Sequence, residues 1–593
     1  MSGAGEGGVL NPGLGVAMIR RAARWFEVAS DWRRRSLLFS AGAASVLSLA
    51  PFHLWPVLWL TIPVLFLAIF DKRTAEGSGD ASGAASVGRH RLAFWRQTRH
   101  GTAAENAWWF GFGFFIVGLF WIAEAFLVEA EIFAWLIPVA VTGLPALLAL
   151  FYAGAGWVLS RLTSSSTTAN VLFFAVVMSL VEWGRSHAFT GLPWNVFGYA
   201  LAGPVTMMQA AGIAGIFGLT LLAFLVFTWP AVRLMEEQAS ARQSWGRQWI
   251  MALVPALAGI GLLYGYGTWR LAAAPAIDTR PATGYLVRIV QPSIPQRQKW
   301  QPEHQRRIFD LHKSLSGLGA EPVLWNGRRP DAVVWPESAM PFFPLEQPIA
   351  LAEIGELLGD ETILVAGGIR RQSGNAVDGG NDFPPVYNSL FVFRGGLRAE
   401  LVDTYDKAHL VPFGEFLPLK PLLGAIGLQQ LVRRRGGFTE GPMPRPLLDL
   451  GGGRKAIPSI CYEAIFPQST RGFDGQPLAI INVTNDGWFG DSIGPRQHYH
   501  QARVRAVESG LPMIRVANNG ISALLDGFGR ELARIGLDVE GFSDTVLPMP
   551  AGQPLYARFG DKLYFLAVAI LIGLGIALTY RNTEPIAPKR DTA

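Results

Sequence analysis

The stretch "AIPSICYE" (456–463) decides how the middle of this chain is read. A short apolar run, broken only by proline and serine, ends abruptly on three chemically capable side chains: Cys461, Tyr462 and Glu463. A run that apolar and that short reads as a strand buried on both faces, with its reactive group at the C-terminal end. The same grammar recurs on either side. "YLVRIVQ" (285–291), "DAVVWPES" (331–338), "TILVAGGI" (362–369), "SLFVFR" (389–394), "LAIINVTND" (478–486), "MIRVANN" (513–519) and "SALLDGFG" (522–529) are β-branched or apolar runs bounded by Gly, Pro, Asn or Asp. The stretches 302–318 and 495–510 have helical periodicity instead. Residues 283–548 therefore predict an α/β domain whose sheets are covered on both sides; two sheets back to back with helices outside fit the pattern, which does not itself establish that sandwich.

Outside this region the composition is that of a membrane protein. Half of the 593 residues are hydrophobic, 16% are charged and there are twenty Trp. Candidate spans are Ser36–Ala50, Leu54–Phe70, Ala107–Ala123, Ile132–Leu159, Asn170–Trp183, Val205–Arg233, Trp249–Gly267 and Leu563–Tyr580. The first two fall short of the ~20 residues of a full crossing. They read as a hairpin of short helices, with a re-entrant pair as the alternative. Basic residues flank the first span (Arg20, Arg21, Arg24, Arg33–Arg35), the link between the second and third (Lys72, Arg73, Arg89, Arg91, Arg96, Arg99), the link between the sixth and seventh (Arg233, Arg242, Arg247) and the C-terminus (Arg581, Lys589, Arg590). The loop "EAFLVEAE" (124–131) is acidic, and 185–198 holds one Arg. By the positive-inside rule both termini are cytoplasmic and the α/β domain lies outside, the periplasmic face in a bacterial cell. The net charge of +6 then follows from topology, and no nucleic acid partner is indicated.

The expected organisation is a cytoplasmic tail (1–35), a polytopic α-helical membrane bundle of seven helices (36–267), the external domain (268–560), an eighth transmembrane helix (561–580) and a second tail (581–593). Residues 74–88 have linker composition. Ala210, Ala214 and Gly218 recur at helical spacing, as in close helix–helix contacts. Glu182 and Arg185, at the outer end of the fifth span, either meet a lipid headgroup or pair with each other.

The lone Cys excludes an intrachain disulfide, a cysteine-based zinc site and an iron–sulfur cluster. Glu337 closes "VVWPE", Lys407 follows "LVDTYD" and Cys461 closes "IPSI", all at strand ends, where open α/β sheets place their chemistry. Together they divide one labour. A thiol with an ordinary pKa of ~8.5 needs a base, a carboxylate can be that base, and a fixed ammonium steadies thiolate and oxyanion.

"WPES", "YDKAHLVPFGEF", "ICYE" and the long run from "NVTNDGWFGDSIG" to "VANNGIS", with "PFHLWP", "GLFWI" and "TGLPWNVFGYAL" among the spans, closely resemble apolipoprotein N-acyltransferase, a membrane-bound branch of the nitrilase superfamily. The resemblance covers nearly the whole chain. It implies an external nitrilase-like α-β-β-α sandwich, with Glu337 as general base, Lys407 as oxyanion-stabilising cation and Cys461 as nucleophile. It makes Glu415 a supporting carboxylate, Tyr462 and Glu463 residues on which the family relies, the Tyr462 amide a second oxyanion donor, and Trp300 a residue near the substrate entrance. It also implies the reaction. Cys461 takes an acyl chain from a glycerophospholipid, typically phosphatidylethanolamine, as a thioester. The chain then passes to the α-amino group of an N-terminal diacylglyceryl-cysteine on a lipoprotein, in a bacterial inner membrane. No cofactor and no metal are expected, and a monomer is.

Three further stretches carry readings of their own. The apolar segment 417–438, ending in Arg433, Arg434 and Arg435, is expected to be a lid that dips into the bilayer while its arginines meet lipid phosphates; a packed helical hairpin with a solvated charge run is the alternative. Trp488 and Phe489 in "NDGWFGD" either wall the acyl pocket or belong to an ordinary turn. His498 and His500 read as structural or pocket-lining residues on a helix. Rival functions are a membrane-tethered nitrilase-like amidase, disfavoured by the spans and the apolar arm, and a transporter with an external binding domain, disfavoured by spans poor in polar residues.

Overall fold

The structure is a computed structural model; it describes residues 30–70, 99–232, 245–276, 284–319, 322–372, 384–418 and 437–581. The domain after the seventh expected span is built on two six-stranded sheets. Strands β1 (Leu286–Gln291), β2 (Ala332–Val334), β3 (Ile363–Arg371), β4 (Val386–Arg394), β5 (Glu400–Asp406), β6 (Leu448–Asp449), β7 (Lys455–Ile460), β8 (Ala479–Thr484), β9 (Met513–Ala517), β10 (Ser522–Leu525), β11 (Glu531–Ile535) and β12 (Gly541–Val546) follow in chain order. One sheet runs β12-β1-β2-β3-β4-β5 and the other β11-β10-β9-β8-β7-β6. Each has a parallel centre, β1-β2-β3 or β7-β8-β9, with antiparallel strands at its margins.

Side-chain alternation produces the layers. Val287, Ile289, Val334, Val365, Leu390 and Val392 face Ala456, Ile460, Ile481, Val483, Ile514, Val516 and Leu524 across one buried core between the sheets. Their neighbours in sequence point the other way. Val333, Leu364, Phe391 and Phe393 pack under two helices represented by Phe309 and by Ile354 and Leu358. Ile457, Ile480, Met513 and Ala523 pack under a third, through Ala502 and Ala506. The α-β-β-α sandwich is thus present. It explains why these strands read as unbroken apolar runs: both faces are inside.

In the membrane part we label α1 (Asp31–Ser45), α2 (Leu58–Phe70), α3 (Arg99–Gly118), α4 (Ile137–Leu159), α5 (Thr167–His187), α6 (Ala211–Thr228) and α7 (Trp245–Ala272). The sandwich helices are α8 (Gln305–Ser316), α9 (Pro348–Leu358) and α10 (Ile493–Ser509), and α11 (Lys562–Arg581) follows. Among the described residues four segments are long and apolar enough to cross a membrane: Ala130–Leu159, Thr167–His187, Ala211–Thr228 and Lys562–Arg581. Helices α1 and α2, of 15 and 13 residues, are short, as expected of the first pair.

Two expected spans are interrupted. The third stops at Gly118, and a separate short helix, Ile122–Leu127, follows it. The sixth is broken twice, after Met208 and again at Gly215, whose φ of +67° lies outside the helical region. That break undoes the helical spacing of Ala210, Ala214 and Gly218, so the stripe expected there does not exist as one face. Its place is taken by a junction. The freed amide of Ile216 donates to the Glu508 carboxylate on α10, 2.7 Å away.

Glu182 and Arg185 pair with each other, both fully buried, at 2.6 Å. The Tyr152 hydroxyl donates to Glu182, and Arg185 donates onward to the carbonyls of Leu192 and Trp194. A buried ion pair is tolerated when every remaining polar atom is occupied, as here. Its effect is to fix the loop "TGLPW" (190–194) against the sandwich. There the Trp194 indole donates to Gln497, and the Thr190 and Gly191 carbonyls bond His409 and Tyr462.

Candidate active site

The C-terminal ends of β2, β5 and β7 bring the three expected residues together. After β2 the chain continues beside β3, with Trp335 and Ala339 donating to the Val365 and Gly367 carbonyls. This places Glu337 directly over Gly367, where a Cβ would lie 2.6 Å from the Glu337 Cα; only glycine permits so close an approach. Lys407 follows β5, its amide held by the Asn388 carbonyl at 2.9 Å. Cys461 follows β7 with φ of +51°, a left-handed conformation that costs a residue with a side chain roughly 1–2 kcal/mol. That turn swings the sulfur off the strand line and starts a 3₁₀ turn, Cys461–Ile465.

The polar groups form one connected set. Lys407 Nζ donates to Glu415 Oε1 at 2.9 Å and lies 3.7 Å from Glu337 Oε1. The Asn388 amide donates to both carboxylates, at 2.8 Å to Glu337 and 3.1 Å to Glu415. Glu415 also accepts from the Val411 amide at 2.8 Å. Glu337, Lys407 and Cys461 are all buried. Burial works against the Lys407 cation, but the carboxylates of Glu415 and Glu337 outweigh it and raise its pKa, so its charge is permanent. Burial, and then the Glu337 carboxylate, push the Cys461 thiol well up; Lys407 and the Thr484 hydroxyl oppose them without prevailing. The sulfur therefore rests protonated beside an acceptor and a cation.

Glu463 does not face the sulfur. Its Oε1 accepts from the Tyr405 hydroxyl (2.7 Å) and the amides of Ala408 (3.0 Å) and His409 (3.1 Å), and its Oε2 from the Ile460 amide (2.7 Å). One carboxylate thus ties the end of β7 to the loop that carries Lys407. The Tyr462 hydroxyl points to the Gly191 carbonyl at 3.0 Å, and its amide lies in the first turn of the 3₁₀ helix, where N–H groups lack partners within the helix. Trp300 is 40% exposed and follows the buried Lys299 in sequence. Phe489 packs on Trp121, Trp194 and His498, with ring centroids 4.5, 5.8 and 5.9 Å away; Trp488 beside it is partly exposed. Arg433, Arg434 and Arg435, and all but the ends of the expected lid, lie outside the described residues.

Two groups in the site, Lys299 and Asn388, carry no reading from the sequence, and a third, His498, is expected there only as structural or pocket-lining. Lys299, fully buried, donates from Nζ to the Glu337 carbonyl at 2.9 Å; burial lowers its pKa to about 8, with Glu337 and Cys461 opposing. The signal was present: a lysine in the turn that follows β1, at another strand end. Asn388 lies in the first half of β4, between Tyr387 and Ser389 and ahead of the apolar run from Leu390 to Phe393. His498, on α10, bonds the Cys461 carbonyl (3.1 Å) and Asp486 (2.7 Å), and Asp486 is paired with Arg515 at 2.9 Å. Ligand-type atoms of Cys461, Asp486 and His498 lie within 4.8 Å of one another. They suit a metal poorly. Arg515 already neutralises Asp486, and both His498 ring nitrogens face other partners.

Comparison with known proteins agrees with this fold. The apolipoprotein N-acyltransferase N-terminal domain model matches residues 41–229, and the carbon-nitrogen hydrolase model matches 324–553. Proteins named apolipoprotein N-acyltransferase are similar almost end to end. That of Rhodopseudomonas palustris is 39% identical over 96% of this chain and 98% of its own length. Those of Brucella melitensis and Bradyrhizobium diazoefficiens are 43% and 40% identical, over 91% and 95% of this chain and 94% and 98% of theirs. The chain belongs to the apolipoprotein N-acyltransferase family.

Proposed function

We propose that this chain moves an acyl group from a glycerophospholipid, phosphatidylethanolamine by preference, to the free α-amino group of an N-terminal S-diacylglyceryl-cysteine on a lipoprotein, with Cys461 carrying the acyl group between them. Glu337 takes the thiol proton as the sulfur attacks the ester carbonyl carbon. Lys407 and the Tyr462 amide hold the resulting oxyanion. Collapse expels the glycerol oxygen, which takes the proton from Glu337 and leaves as lysophospholipid. In the second half-reaction the amine attacks the thioester, Glu337 receives its proton, and the proton returns to the departing Cys461 sulfur. An amide replaces a thioester, so the step runs one way, and the kinetics are ping-pong.

The observation that carries this reading is the set itself: Lys407 3.7 Å from Glu337 and bonded to Glu415, with a high-pKa thiol at the neighbouring strand end. A protonated thiol beside a carboxylate suits general-base attack, in which deprotonation accompanies bond formation and no free thiolate accumulates. Glu415, Glu463 and Lys299 act as positioning residues. Trp300, Trp488, Phe489 and the Arg433–Arg435 triplet are assigned to lipid contact, the last on an apolar lid. Eight spans, cytoplasmic termini, a periplasmic sandwich in a bacterial inner membrane and a monomeric state complete the proposal. The charge asymmetry of the loops supports that orientation. Ile465, Phe466, Val504 and Val507 of the sandwich share one buried core with the membrane helices, which supports a catalytic domain seated against the membrane.

The test is stoichiometric. The purified protein, given phosphatidylethanolamine and a synthetic diacylglyceryl-cysteine peptide in mixed micelles, should yield N-acylated peptide and lysophospholipid in equal amounts. Cys461→Ala should yield neither. Fatty acid release without peptide acylation would replace this reading with a lipase.

A further inference from the structure

From the cleft between the short helix Ile122–Leu127 and the sandwich we infer a second recognition site, a seat for a zwitterionic headgroup that carries an ammonium beside a phosphodiester. The inference rests on the phospholipid-donor reading above and names the part of the donor that reading leaves open. Glu124, Leu127 and Val128 form one wall; Gln296, Arg297 and Gly487, from the turns after β1 and β8, form the other. The cavity is about 320 Å³, within the range of small-molecule sites.

Its polar groups are placed for a ligand rather than for each other. Gln296 is 93% buried by virtue of a 7% exposure; its oxygen is held by the Asn485 amide at 2.7 Å, yet its own N–H₂ has no partner among the described residues. A buried amide donor left without an acceptor is costly, so the site favours a ligand that accepts from it. Arg297 is anchored by one N–H to the Leu127 carbonyl at 2.8 Å, which leaves the rest of its guanidinium facing outward. Opposite, the Glu124 carboxylate has no hydrogen-bond or ion-pair partner among the described residues. It is pressed against Gly490, where a Cβ would stand 2.8 Å from its oxygen, so glycine at φ +58° is what lets it reach the cleft.

Two donors for an oxyanion and one acceptor for a cation, in one small cavity, are complementary to a phosphoethanolamine group. Contacts connect the cleft to the reacting atom. Glu124 touches Gly490, the adjoining Phe489 packs on His498, and His498 bonds the Cys461 carbonyl. Lys299, three residues after Gln296, bonds the Glu337 carbonyl. A headgroup seated here lies next to the site and outside it.

The test compares donors with identical acyl chains, dioleoyl-phosphatidylethanolamine and dioleoyl-phosphatidylglycerol, in mixed micelles with the full-length protein, reading acyl-enzyme by intact mass. Glu124→Gln should slow acylation by the ethanolamine lipid about tenfold, the worth of one charge-assisted hydrogen bond, and change the glycerol lipid less than about twofold. Arg297→Gln should slow both, since both carry the phosphodiester. Equal effects of Glu124→Gln on the two lipids, or none on either, would overturn the inference. Glycerophosphoethanolamine, which has no acyl chain, separates the cleft from the chemistry. Ligand-observed NMR should show it bound to the unmodified protein and weakened by Glu124→Gln, with glycerophosphoglycerol indifferent to that change. If both probes bind alike the seat is wrong; if the ethanolamine probe alone responds while neither lipid acylates Cys461, the seat stands and the donor reading fails.

Discussion

Replacing Glu463 with Gln tests how the site is held. The carboxylate accepts four hydrogen bonds, three on Oε1 and one on Oε2, and is fully buried. Glutamine has one acceptor oxygen and one donor nitrogen in the same space. With its oxygen placed where three donors converge, its N–H₂ meets the Ile460 N–H head on; reversed, three bonds are lost instead of one. The smaller loss removes one bond to a charged acceptor, about 1.5–3 kcal/mol, and leaves a buried N–H unpaired. Because the lost contact joins the end of β7 to the loop carrying Lys407, it should appear as loosening around Cys461. Cys461 is the only cysteine, so a thiol-reactive dye reports that loosening directly. Glu463→Gln should label at a temperature lower by roughly 5 °C, and acyl-enzyme formation should slow at temperatures where the fold is intact. Labelling and acylation both unchanged would show that Glu463 does not position the loop.

Lys299 predicts a pH effect. Its pKa of about 8 lies below that of an ordinary lysine, so the cation is present below pH 8 and lost as pH rises through it. Acyl-enzyme formation should fall along that alkaline limb, and Lys299→Arg, whose guanidinium stays charged, should be slower yet flat across it; an unaltered limb refutes the assignment. Asn388→Leu, similar in volume, removes the donor shared by Glu337 and Glu415, and should cut the single-turnover acylation rate about tenfold or more with little change in the folded yield. Arg185→Met strands the buried Glu182 carboxylate and frees the carbonyls of Leu192 and Trp194. It should destabilise by about 3–5 kcal/mol, read as loss of monodisperse protein after mild heating.

The inner strands β1, β2, β7, β8 and β9 are legible because both their faces are buried, which forces continuous apolar runs, whereas the partly exposed β11 and β12 carry no such run. Glu337, Lys407 and Cys461 sit at strand ends, and Lys299, in the turn after β1, occupies a comparable place. Asn388 is hidden for a different reason: it sits beside Ser389 just ahead of an apolar run, and its role appears only when the loops after β2 and β5 bring Glu337 and Glu415 to it. The break of α6 at Gly215 was illegible because its cause is tertiary; Ile216's amide is satisfied by Glu508, some 290 residues away in sequence. The sequence allows two readings of Glu182 and Arg185, and the carbonyls at Leu192 and Trp194 that help decide between them lie on a loop whose path no local pattern fixes.

The most direct measurement of the central claim is the intact mass of the protein after exposure to phosphatidylethanolamine alone. The account predicts a single added acyl group, labile to hydroxylamine, absent from Cys461→Ala and discharged by a diacylglyceryl-cysteine peptide. An unchanged mass under conditions in which the peptide is nonetheless acylated, or an adduct that survives Cys461→Ala, would contradict it.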